Sequence, residues 1–324
     1  MTAFFDSSRK LRIAVVGTGA IGSYHGAKLA ASGHDVRFLL RSGLETVRSQ
    51  GFTVHSTTDT PVIRLPRARV FGSTEEIGPV DWVLIAVKTT ANAALEKLIP
   101  PLLHDGTTLV TMQNGLGNEA FLAERFGVER VMGALCFVGV NRIAPGVVHS
   151  FGRGTISVGE YEGPPRARTE ALAQAFRDTG MEATVVDNLL TERWRKELWN
   201  VPFNGLAIAA GDMTCDLILA DPGLMELVRG LMRELLAIAE ARGHAIPDSY
   251  IDFQLSRTRP LGAYKPSSLL DYRAGRPVEV ESIWGEPVRE ARQVGVQAGR
   301  LEALYYLLQR LTAARVAQKN SAAR

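Results

Sequence analysis

A glycine pattern between an apolar run and an amphipathic segment constrains the fold of this chain more than any other feature. Residues 11–16, LRIAVV, form a short β-branched run that is typical of a buried parallel strand. The run leads into Gly17-Thr18-Gly19-Ala20-Ile21-Gly22, and residues 24–31 then repeat apolar positions with helical spacing up to Gly33. A strand, a GxGxxG turn and a helix in this order predict a Rossmann-type dinucleotide-binding domain.

The six residues of this turn are the first predicted cofactor contacts. Gly17 permits the tight turn, Gly19 lets the backbone approach a pyrophosphate, and Gly22 lets the helix pack against the sheet. Thr18, Ala20 and Ile21 complete the turn, where the first N–H groups of the helix and the positive end of its dipole face the phosphates. GxGxxG alone is a weak signal, so the prediction depends on the strand before it and the helix after it.

The second predicted strand, residues 35–40, indicates which dinucleotide is bound. Proteins that bind NAD usually carry Asp or Glu at the end of this strand, about 20 residues past the glycines, to accept a hydrogen bond from the ribose 2′-OH. Here that place holds Arg41 and Ser42, and Asp35 lies at the opposite end of the strand. A cation suits a 2′-phosphate, so the sequence favours NADP over NAD. The alternative for Arg41 is a solvated loop arginine.

Two further segments rich in apolar residues, 80–87 and 107–112, predict central strands that lead into polar residues. Lys88 follows the first run, and Gln113-Asn114-Gly115 follows the second. Ligands of an open α/β sheet collect at the carboxyl ends of its strands. Lys88 is therefore predicted to lie on the functional edge of the sheet, and Asn114 to lie beside the nicotinamide. The alternatives are a strand-end lysine without a function and an Asn-Gly pair that serves only the turn.

The rest of the first half is predicted to complete one α/β domain that ends near residue 187. An edge strand or hairpin is expected at residues 51–65, and a helix at 91–103 that stops at two prolines. After Arg130 the pattern changes to strands, which predicts an antiparallel extension of the sheet, closed by a helix and a last strand. These segments are 131–141, 147–151, 154–159, 166–179 and 183–186.

No convincing strand pattern follows, so residues 188–324 are predicted to form an all-helical second domain. Helices are expected at 191–204, 224–242, 248–256 and 301–311, with a segment from 278 that Gly285 and Pro287 interrupt, and with a loose tail after Val316. The predicted fold class is α/β, with an N-terminal Rossmann-type dinucleotide-binding domain (1–187) followed by an all-helical C-terminal domain that binds the substrate (188–324).

The first helix of the second domain, TERWRKELWNVPFN, carries the strongest candidates for chemistry. Lys196, Asn200 and Asn204 lie at i, i+4 and i+8, so one ammonium and two amides share a stripe. Pro202 lies beyond the first turn and is expected to kink the helix, because its ring clashes with the carbonyl of Leu198. Such a helix costs stability, which suggests a function. The alternative for Lys196 is a lysine on a solvated surface.

Composition excludes several classes of function. The 37 basic and 34 acidic residues give a net charge of +3, too mild to indicate nucleic acid as a partner. The two cysteines, Cys136 and Cys215, and the six scattered histidines have no metal-ligand spacing. The first residues lack the apolar core of a signal peptide, and the longest apolar run, 83–87, is too short to span a bilayer. A cytoplasmic protein without a membrane partner is expected.

With these residues assembled, the chain resembles the ketopantoate reductase (2-dehydropantoate 2-reductase) family over nearly its whole length. In the first half the resemblance rests on the glycine turn with Arg41, on Lys88, on the QNG loop and on PGVVHSFGRG. In the second half it rests on WRKELWNVPFN, on KPSSLLDYRAGRPVEVES and on the final helix. The combined spacing of these motifs is more specific than any single one.

The resemblance implies an NADP-dependent oxidoreductase that reduces ketopantoate to pantoate, as in pantothenate biosynthesis. It implies that Lys196 is the general acid/base, and that Glu279 binds the substrate. It further implies substrate-side roles for Asn200, Asn204 and Ser267, a place near both cofactor and substrate for Asn114, and cofactor contacts for Lys88 and Arg41. For Glu279 the alternative is a helix-start carboxylate that serves the helix dipole.

One segment departs from the family pattern. After Asn204 the family often supplies another substrate-side asparagine, whereas GLAIAAGDMTCD offers only Thr214 or Asp216. A related NADP-dependent reductase or dehydrogenase of another 2-keto acid or hydroxy acid is therefore the first alternative function, and a non-catalytic NADP(H)-sensing protein is the second. Helical second domains of this kind often pair, which favours a homodimer, although the sequence does not fix the oligomeric state.

Overall fold

The structure is a computed structural model that describes residues 10–57, 62–152 and 154–322, without the side chains of 320–322. The chain divides into two compact units, and one short segment from the first half of the sequence belongs to the second unit. Residues 1–113 and 118–189 form the first unit, and residues 114–117 and 190–324 form the second. The predictions for the start of the chain and for the middle of 51–65 fall partly outside the described residues, as does Arg153 of the PGVVHSFGRG motif.

The first unit contains two β-sheets. The strands of the described residues are β1 (Arg12–Val16), β2 (Asp35–Leu39), β3 (Phe52–Ser56), β4 (Ile63–Leu65), β5 (Arg69–Phe71), β6 (Trp82–Ile85), β7 (Thr108–Thr111), β8 (Val131–Phe137), β9 (Val140–Ala144), β10 (Val147–Ser150), β11 (Thr155–Glu160) and β12 (Glu182–Val185). The larger sheet has eight strands in the order β12-β11-β8-β7-β6-β1-β2-β5. All its pairs are parallel except β11 with β8.

The central strands of this sheet are buried on both faces, which explains their continuous apolar sequences. In β1, Ile13 and Val15 pack into one hydrophobic core, and Ala14 and Val16 pack into another. Alternate residues of a strand point to opposite faces, so a strand between two cores needs apolar residues throughout. The chain runs outward from β1 to β2 on one side and continues from β6 on the other. The predicted Rossmann-type α/β fold is thereby confirmed, and the strand order reverses between β1 and β6.

The smaller sheet corrects part of the prediction for residues 131–151. Its order is β4-β3-β10-β9, with β3 and β10 parallel and the outer pairs antiparallel. The segment expected as one strand at 131–141 ends at Phe137, and β9 and β10 leave the main sheet to pair with the hairpin of β3 and β4. Residues 142–144 of β9 are exposed, so this segment lacks the two-sided burial of the main sheet.

The helices of the first unit agree only in part with the predicted segments. They are α1 (Ala20–Ala31), α2 (Leu44–Gln50), α3 (Thr74–Ile77), α4 (Leu95–Leu98), α5 (Asn118–Phe126) and α6 (Ala167–Arg177). The helix predicted at 91–103 is wrong: 3-10 turns at Thr89–Ala94 and Pro100–Leu102 flank the single turn α4. Two adjacent prolines lack the N–H donors that a longer α-helix would need.

The second unit is all-helical within residues 190–322, as predicted. Its helices are α7 (Leu189–Ala209), α8 (Cys215–Ala220), α9 (Pro222–Ala241), α10 (Ser249–Thr258), α11 (Ser267–Arg273), α12 (Glu286–Val294) and α13 (Gly299–Ala322), and a π-helical turn at Glu281–Gly285 leads directly into α12. The short helices α8 and α11 were not predicted. The expected loose tail after Val316 is wrong, because α13 continues to Ala322.

Helix α7 continues through Pro202 and forms part of the core of the second unit. Leu198, Val201 and Phe203 are each at most 1% exposed. Trp284 in the π-helical turn donates its indole N–H to the carbonyl of Val201 over 2.9 Å, which satisfies that indole group and holds the turn against α7 next to Pro202. The apolar faces of α7 are thus fixed by packing, and the orientation of its polar stripe follows from them.

Candidate functional site

The glycine turn lies directly against the end of β6. Gly17 has φ +106°, and a Cβ atom there would lie 2.3 Å from the backbone nitrogen of Val87 and 2.5 Å from the carbonyl carbon of Ala86. A Cβ atom at Gly22 would lie 2.1 Å from the carbonyl oxygen of Gly17. Both contacts are impossible for any other residue, so these two glycines are required by the fold of the turn itself.

Gly19 differs from its neighbours because the space in front of it is open. Apart from Gly19 itself and its two chain neighbours, no residue has a heavy atom within 4 Å of the position of its Cβ. Gly19 is the N-cap of α1 without a capping side chain, and Ala20 and Ile21 follow as the first helical residues, so their N–H groups are available to a ligand. The Thr18 hydroxyl donates to the carbonyl of Leu39 at the end of β2 over 3.2 Å. An open helix N-terminus of this kind fits a pyrophosphate.

The two ends of β2 carry side chains of opposite charge. Arg41 and Ser42 follow this strand and are both exposed. Asp35, at the start of β2, forms ion pairs with Arg37 over 3.1 Å and with Arg69 over 2.6 Å. The carboxylate of this strand is therefore engaged at the end that is remote from the glycine turn, whereas the end near the turn presents a guanidinium.

Lys88 follows β6 at the edge of the sheet where the glycine turn follows β1. Lys88 is exposed and precedes the 3-10 turn Thr89–Ala94. Gln113, which follows β7, is 4% exposed and donates from Nε2 to the carbonyl of Val87 over 2.9 Å and to Asn92 Oδ1 over 2.7 Å. Gln113 thus ties together the loops that follow β6 and β7, which fixes the backbone from which Lys88 projects.

Asn114 belongs to the second unit, where it contacts Lys196. Lys196 Nζ donates to Asn114 Oδ1 over 2.9 Å. The segment that carries Asn114 is held in place by the hydrogen bond from the Leu116 N–H to the carbonyl of Ser282 over 2.9 Å. Gly115 has φ +87°, and a Cβ atom there would lie 2.5 Å from the Ser282 carbonyl carbon, so this close approach requires glycine.

The polar stripe of α7 is buried. Lys196, Asn200 and Asn204 are 7%, 6% and 2% exposed, so Lys196 is not a lysine on a solvated surface. Asn200 Nδ2 donates to Glu197 Oε1 over 3.0 Å, and Asn204 Nδ2 donates to the carbonyl of Asn200 over 3.1 Å. Asn204 Oδ1 accepts from the Ser268 N–H over 3.0 Å. Buried polar groups on an apolar helix are stable only because they satisfy one another in this way.

The two remaining substrate candidates are placed differently. Ser267 is exposed at the first position of α11, and it is its neighbour Ser268, 4% exposed, that joins the polar chain of α7 through its N–H. Glu279 is 5% exposed and lies on the segment that enters the π-helical turn Glu281–Gly285. The structure thus connects Lys196 with Asn114, and Asn200 with Asn204, but it leaves Ser267 outside these hydrogen bonds.

The segment that departs from the family pattern is engaged in hydrogen bonds at the start of α8. Thr214 is the N-cap residue of α8, and its hydroxyl donates to Asp216 Oδ1. The same oxygen accepts from the N–H of Leu217 over 3.0 Å. Both polar side chains that could replace the missing asparagine therefore stabilise the start of α8.

Glu197 is the residue that the sequence analysis missed. It is 0% exposed, and burial raises the pKa of its carboxyl to about 7, although the hydrogen bond from Asn200, the charges of Lys196 and Arg193 and the nearby N–H of Gly115 lower it. A signal was present in the sequence: Glu197 lies three residues before Asn200, the spacing at which helical side chains meet. Its burial could not be predicted from the sequence, because a glutamate beside the polar stripe of a helix is usually solvated.

Two further classes of site are not found within the described part of the chain. No described helix is both long enough and apolar enough to cross a membrane. Likewise, residues 10–57, 62–152 and 154–322 contain no group of three or more His, Cys, Asp or Glu side chains arranged to hold a metal ion.

Comparison with known proteins identifies the family. The sequence models of the ketopantoate reductase PanE/ApbA family match residues 13–163, and those of its C-terminal region match 188–312. A 2-dehydropantoate 2-reductase of Nostoc sp. is 36% identical over 92% of this chain and 94% of its own length.

Solved structures agree with the sequence comparison. A 2-dehydropantoate 2-reductase of Geobacter metallireducens matches with a TM-score of 0.90 and 43% identity, covering 93% of this chain and 99% of that one. Another, of Methylococcus capsulatus, matches with a TM-score of 0.86 and 34% identity, covering 94% and 97%. With both halves matched and both sides of each comparison covered almost completely, the chain belongs to the ketopantoate reductase family.

Proposed function

We propose that this protein reduces 2-dehydropantoate (ketopantoate) to pantoate with NADPH. In this proposal residues 1–187 bind the cofactor and residues 188–324 supply the substrate site. The observation that carries it is the hydrogen bond to Asn114 from Lys196, which is buried on a helix with a buried amide stripe, in a chain 36% identical to a 2-dehydropantoate 2-reductase. The test is NADPH oxidation, followed by absorbance, with purified protein and ketopantoate. Absence of turnover at saturating concentrations of both would overturn the proposal.

In this mechanism the chain contributes a proton donor and a set of orienting groups. Bound NADPH would supply the hydride for the ketone carbon, and negative charge would then grow on the ketone oxygen. The Lys196 ammonium stabilises that charge and donates the proton, which leaves the alcohol and a neutral amine. Asn114 Oδ1 accepts from Lys196 and so orients the ammonium. Because Lys196 is buried, its electrostatic effect is greater than it would be in water.

The remaining polar residues would bind and orient the keto acid. Amides at Asn200 and Asn204 and the hydroxyl of Ser267 would orient its carboxylate and ketone, and Glu279 would accept from its hydroxyl. The residues proposed to hold the cofactor are Gly17, Thr18, Gly19, Ala20, Ile21, Gly22, Arg41, Lys88 and Asn114. The open N-terminus of α1 supports the pyrophosphate contact.

Arg41→Ala is expected to raise the KM for NADPH by about tenfold or more while it leaves the KM for NADH nearly unchanged. Only NADPH loses a charge-assisted contact to its 2′-phosphate. Arg48→Ala is a matched control, since Arg48 is an exposed arginine of α2 that pairs with Glu45. Steady-state kinetics with both cofactors would decide, and equal use of NADPH and NADH by the unaltered protein would contradict the preference.

Glu279→Ala is expected to raise the KM for ketopantoate by about tenfold to a hundredfold, because the substrate hydroxyl loses a charged acceptor. A branched 2-keto acid that lacks the hydroxyl should be almost unaffected, since it has no partner to lose. Glu302→Ala, which removes a carboxylate paired with Arg292 at the surface, is the control. Equal defects for both substrates would mean that Glu279 serves the fold.

A second candidate function is the reduction of another 2-keto acid or hydroxy acid by the same chemistry. It is favoured by the engagement of Thr214 and Asp216 at the start of α8, where the family often places a substrate-side asparagine. A panel of keto acids ranked by kcat/KM would separate the two. Ketopantoate should lead the ranking by at least tenfold if the first proposal holds.

Location and assembly belong to the same proposal. We expect a cytoplasmic protein that binds a small keto acid, has neither nucleic acid nor membrane as a partner, and forms a homodimer. Light scattering coupled to size-exclusion chromatography would measure the assembled mass, and a monomer mass at micromolar concentration would contradict the expected dimer.

A further inference from the structure

Glu197 is a fully buried carboxyl group beside the proposed proton donor, and the reduction scheme does not use it. Its two oxygens have different surroundings. Oε1 accepts from Asn200 Nδ2 over 3.0 Å, whereas Oε2 has no hydrogen-bond partner among the described residues. A buried carboxylate oxygen without a donor is unfavourable, and a proton on that oxygen removes most of the cost.

The direction of the polar chain on α7 can be established from its backbone partners. The Ser268 N–H can only donate, so Asn204 turns its Oδ1 towards it. Asn204 Nδ2 then faces the carbonyl of Asn200, which can only accept. Nδ2 of Asn204 also lies 3.5 Å from Asn200 Oδ1, so Asn200 turns its own Nδ2 to the opposite side, where Glu197 accepts. Glu197 is therefore the terminal acceptor of the chain.

We propose that Glu197 is a positioning residue of the substrate site, which fixes the amide of Asn200 through Oε1 while a proton resides on Oε2. This inference rests on the proposed function. The second N–H of Asn200 Nδ2 is then directed to an acceptor such as the ketone or carboxylate oxygen of a keto acid. With its proton in place, Glu197 adds no negative charge next to Lys196, so the site remains favourable to an anionic substrate.

The charges around Glu197 determine the pH range in which the proton is lost. Burial raises the pKa of its carboxyl to about 7, which is opposed by Asn200, by Lys196 and Arg193 on the same helix, and by the N–H of Gly115 in the facing segment. Below this value Glu197 is neutral, and above it a buried negative charge opposes the carboxylate of the substrate. The KM for a keto acid should therefore rise with pH across neutrality.

The decisive comparison is between Glu197→Gln and Glu197→Leu. Glutamine keeps a carbonyl acceptor for Asn200 and imitates the protonated group, so the KM for ketopantoate should stay low from about pH 6 to pH 8, while that of the unaltered protein rises by up to about tenfold. Leucine removes the acceptor, so KM should rise and kcat fall at every pH. Glu192→Gln, which removes a charge paired with Arg195 on the same helix, should keep the pH profile of the unaltered protein.

A measurement without turnover separates this inference from the proposed function. The side-chain amide resonance of Asn200, identified by its loss in Asn200→Asp, should shift with a midpoint near neutral pH in the unaltered protein and not in Glu197→Gln. If ketopantoate is not reduced but the resonance titrates in this way, only the assigned substrate fails. If the resonance does not titrate, if the KM profiles of the unaltered protein and Glu197→Gln coincide, or if folded Glu197→Leu matches the unaltered protein, the positioning role is overturned.

Discussion

Lys196→Ala is expected to lower kcat and kcat/KM together, by about a hundredfold to ten-thousandfold, which is the usual contribution of a general acid. Lys196 would act chiefly in the transition state, when charge develops on the ketone oxygen, so its loss should not appear mainly in KM. Binding of NADPH, measured by fluorescence titration, should survive because the proposed cofactor contacts do not include this side chain.

The control for this variant must account for burial. Removal of Lys196 deletes the hydrogen bond to Asn114 Oδ1 and one of the cations near Glu197, so a loss of stability is also expected. The thermal unfolding temperature should therefore be measured together with the kinetics. Lys97→Ala, which removes an exposed lysine, should behave as the unaltered protein. A folded Lys196→Ala protein with a kcat near that of the unaltered protein would remove Lys196 from the mechanism.

Gly19→Val is expected to abolish NADPH binding without unfolding the protein. No residue beyond its chain neighbours lies within 4 Å of the position of its Cβ, so the side chain enters open space. A pyrophosphate would approach the N-terminus of α1 through that space. Fluorescence titration should show no saturable binding at NADPH concentrations that saturate the unaltered protein, while the thermal unfolding temperature stays within a few degrees.

Gly17→Ala provides the contrast. Its Cβ would lie 2.3 Å from the backbone of Val87, and φ +106° is unfavourable for alanine, so this variant should lose stability as well as binding. The two variants together separate a glycine required by the ligand from a glycine required by the chain. A folded Gly19→Val protein with unchanged affinity for NADPH would contradict the assignment of the turn to a dinucleotide.

The parts of the fold that were predicted correctly depend on local sequence. The β1–turn–α1 unit follows from a run with five apolar residues, from three glycines and from a helical repeat, each of which acts within a few positions along the chain. The all-helical second unit follows in the same way from the spacing of apolar residues. The wrong predictions involve competition between distant segments: β9 and β10 pair with β3 rather than extending the main sheet, and nothing in residues 140–150 indicates which partner is available.

The candidate site shows the same division. Spacing along α7 was enough to predict that Lys196, Asn200 and Asn204 share a stripe. The helix continues through Pro202, where a kink was predicted. Spacing could not show that the stripe is buried, that Ser268 rather than its neighbour donates to Asn204, or that Glu197 ends the polar chain. Each of these facts depends on which side chains of other helices pack around α7.

The assignment of residues 114–117 to the second unit has a consequence for how the chain can be divided. The backbone passes from one unit to the other after residues 113, 117 and 189, so no single cut separates them. A fragment that ends at residue 187 would keep Leu116 but lose the Ser282 carbonyl to which its N–H donates. Gly115 would lose the close contact with the Ser282 backbone that excludes a Cβ atom at this position. The two halves are therefore poor candidates for separate expression or exchange between relatives, and a functional chimera would have to transplant this tetrapeptide together with the helical half.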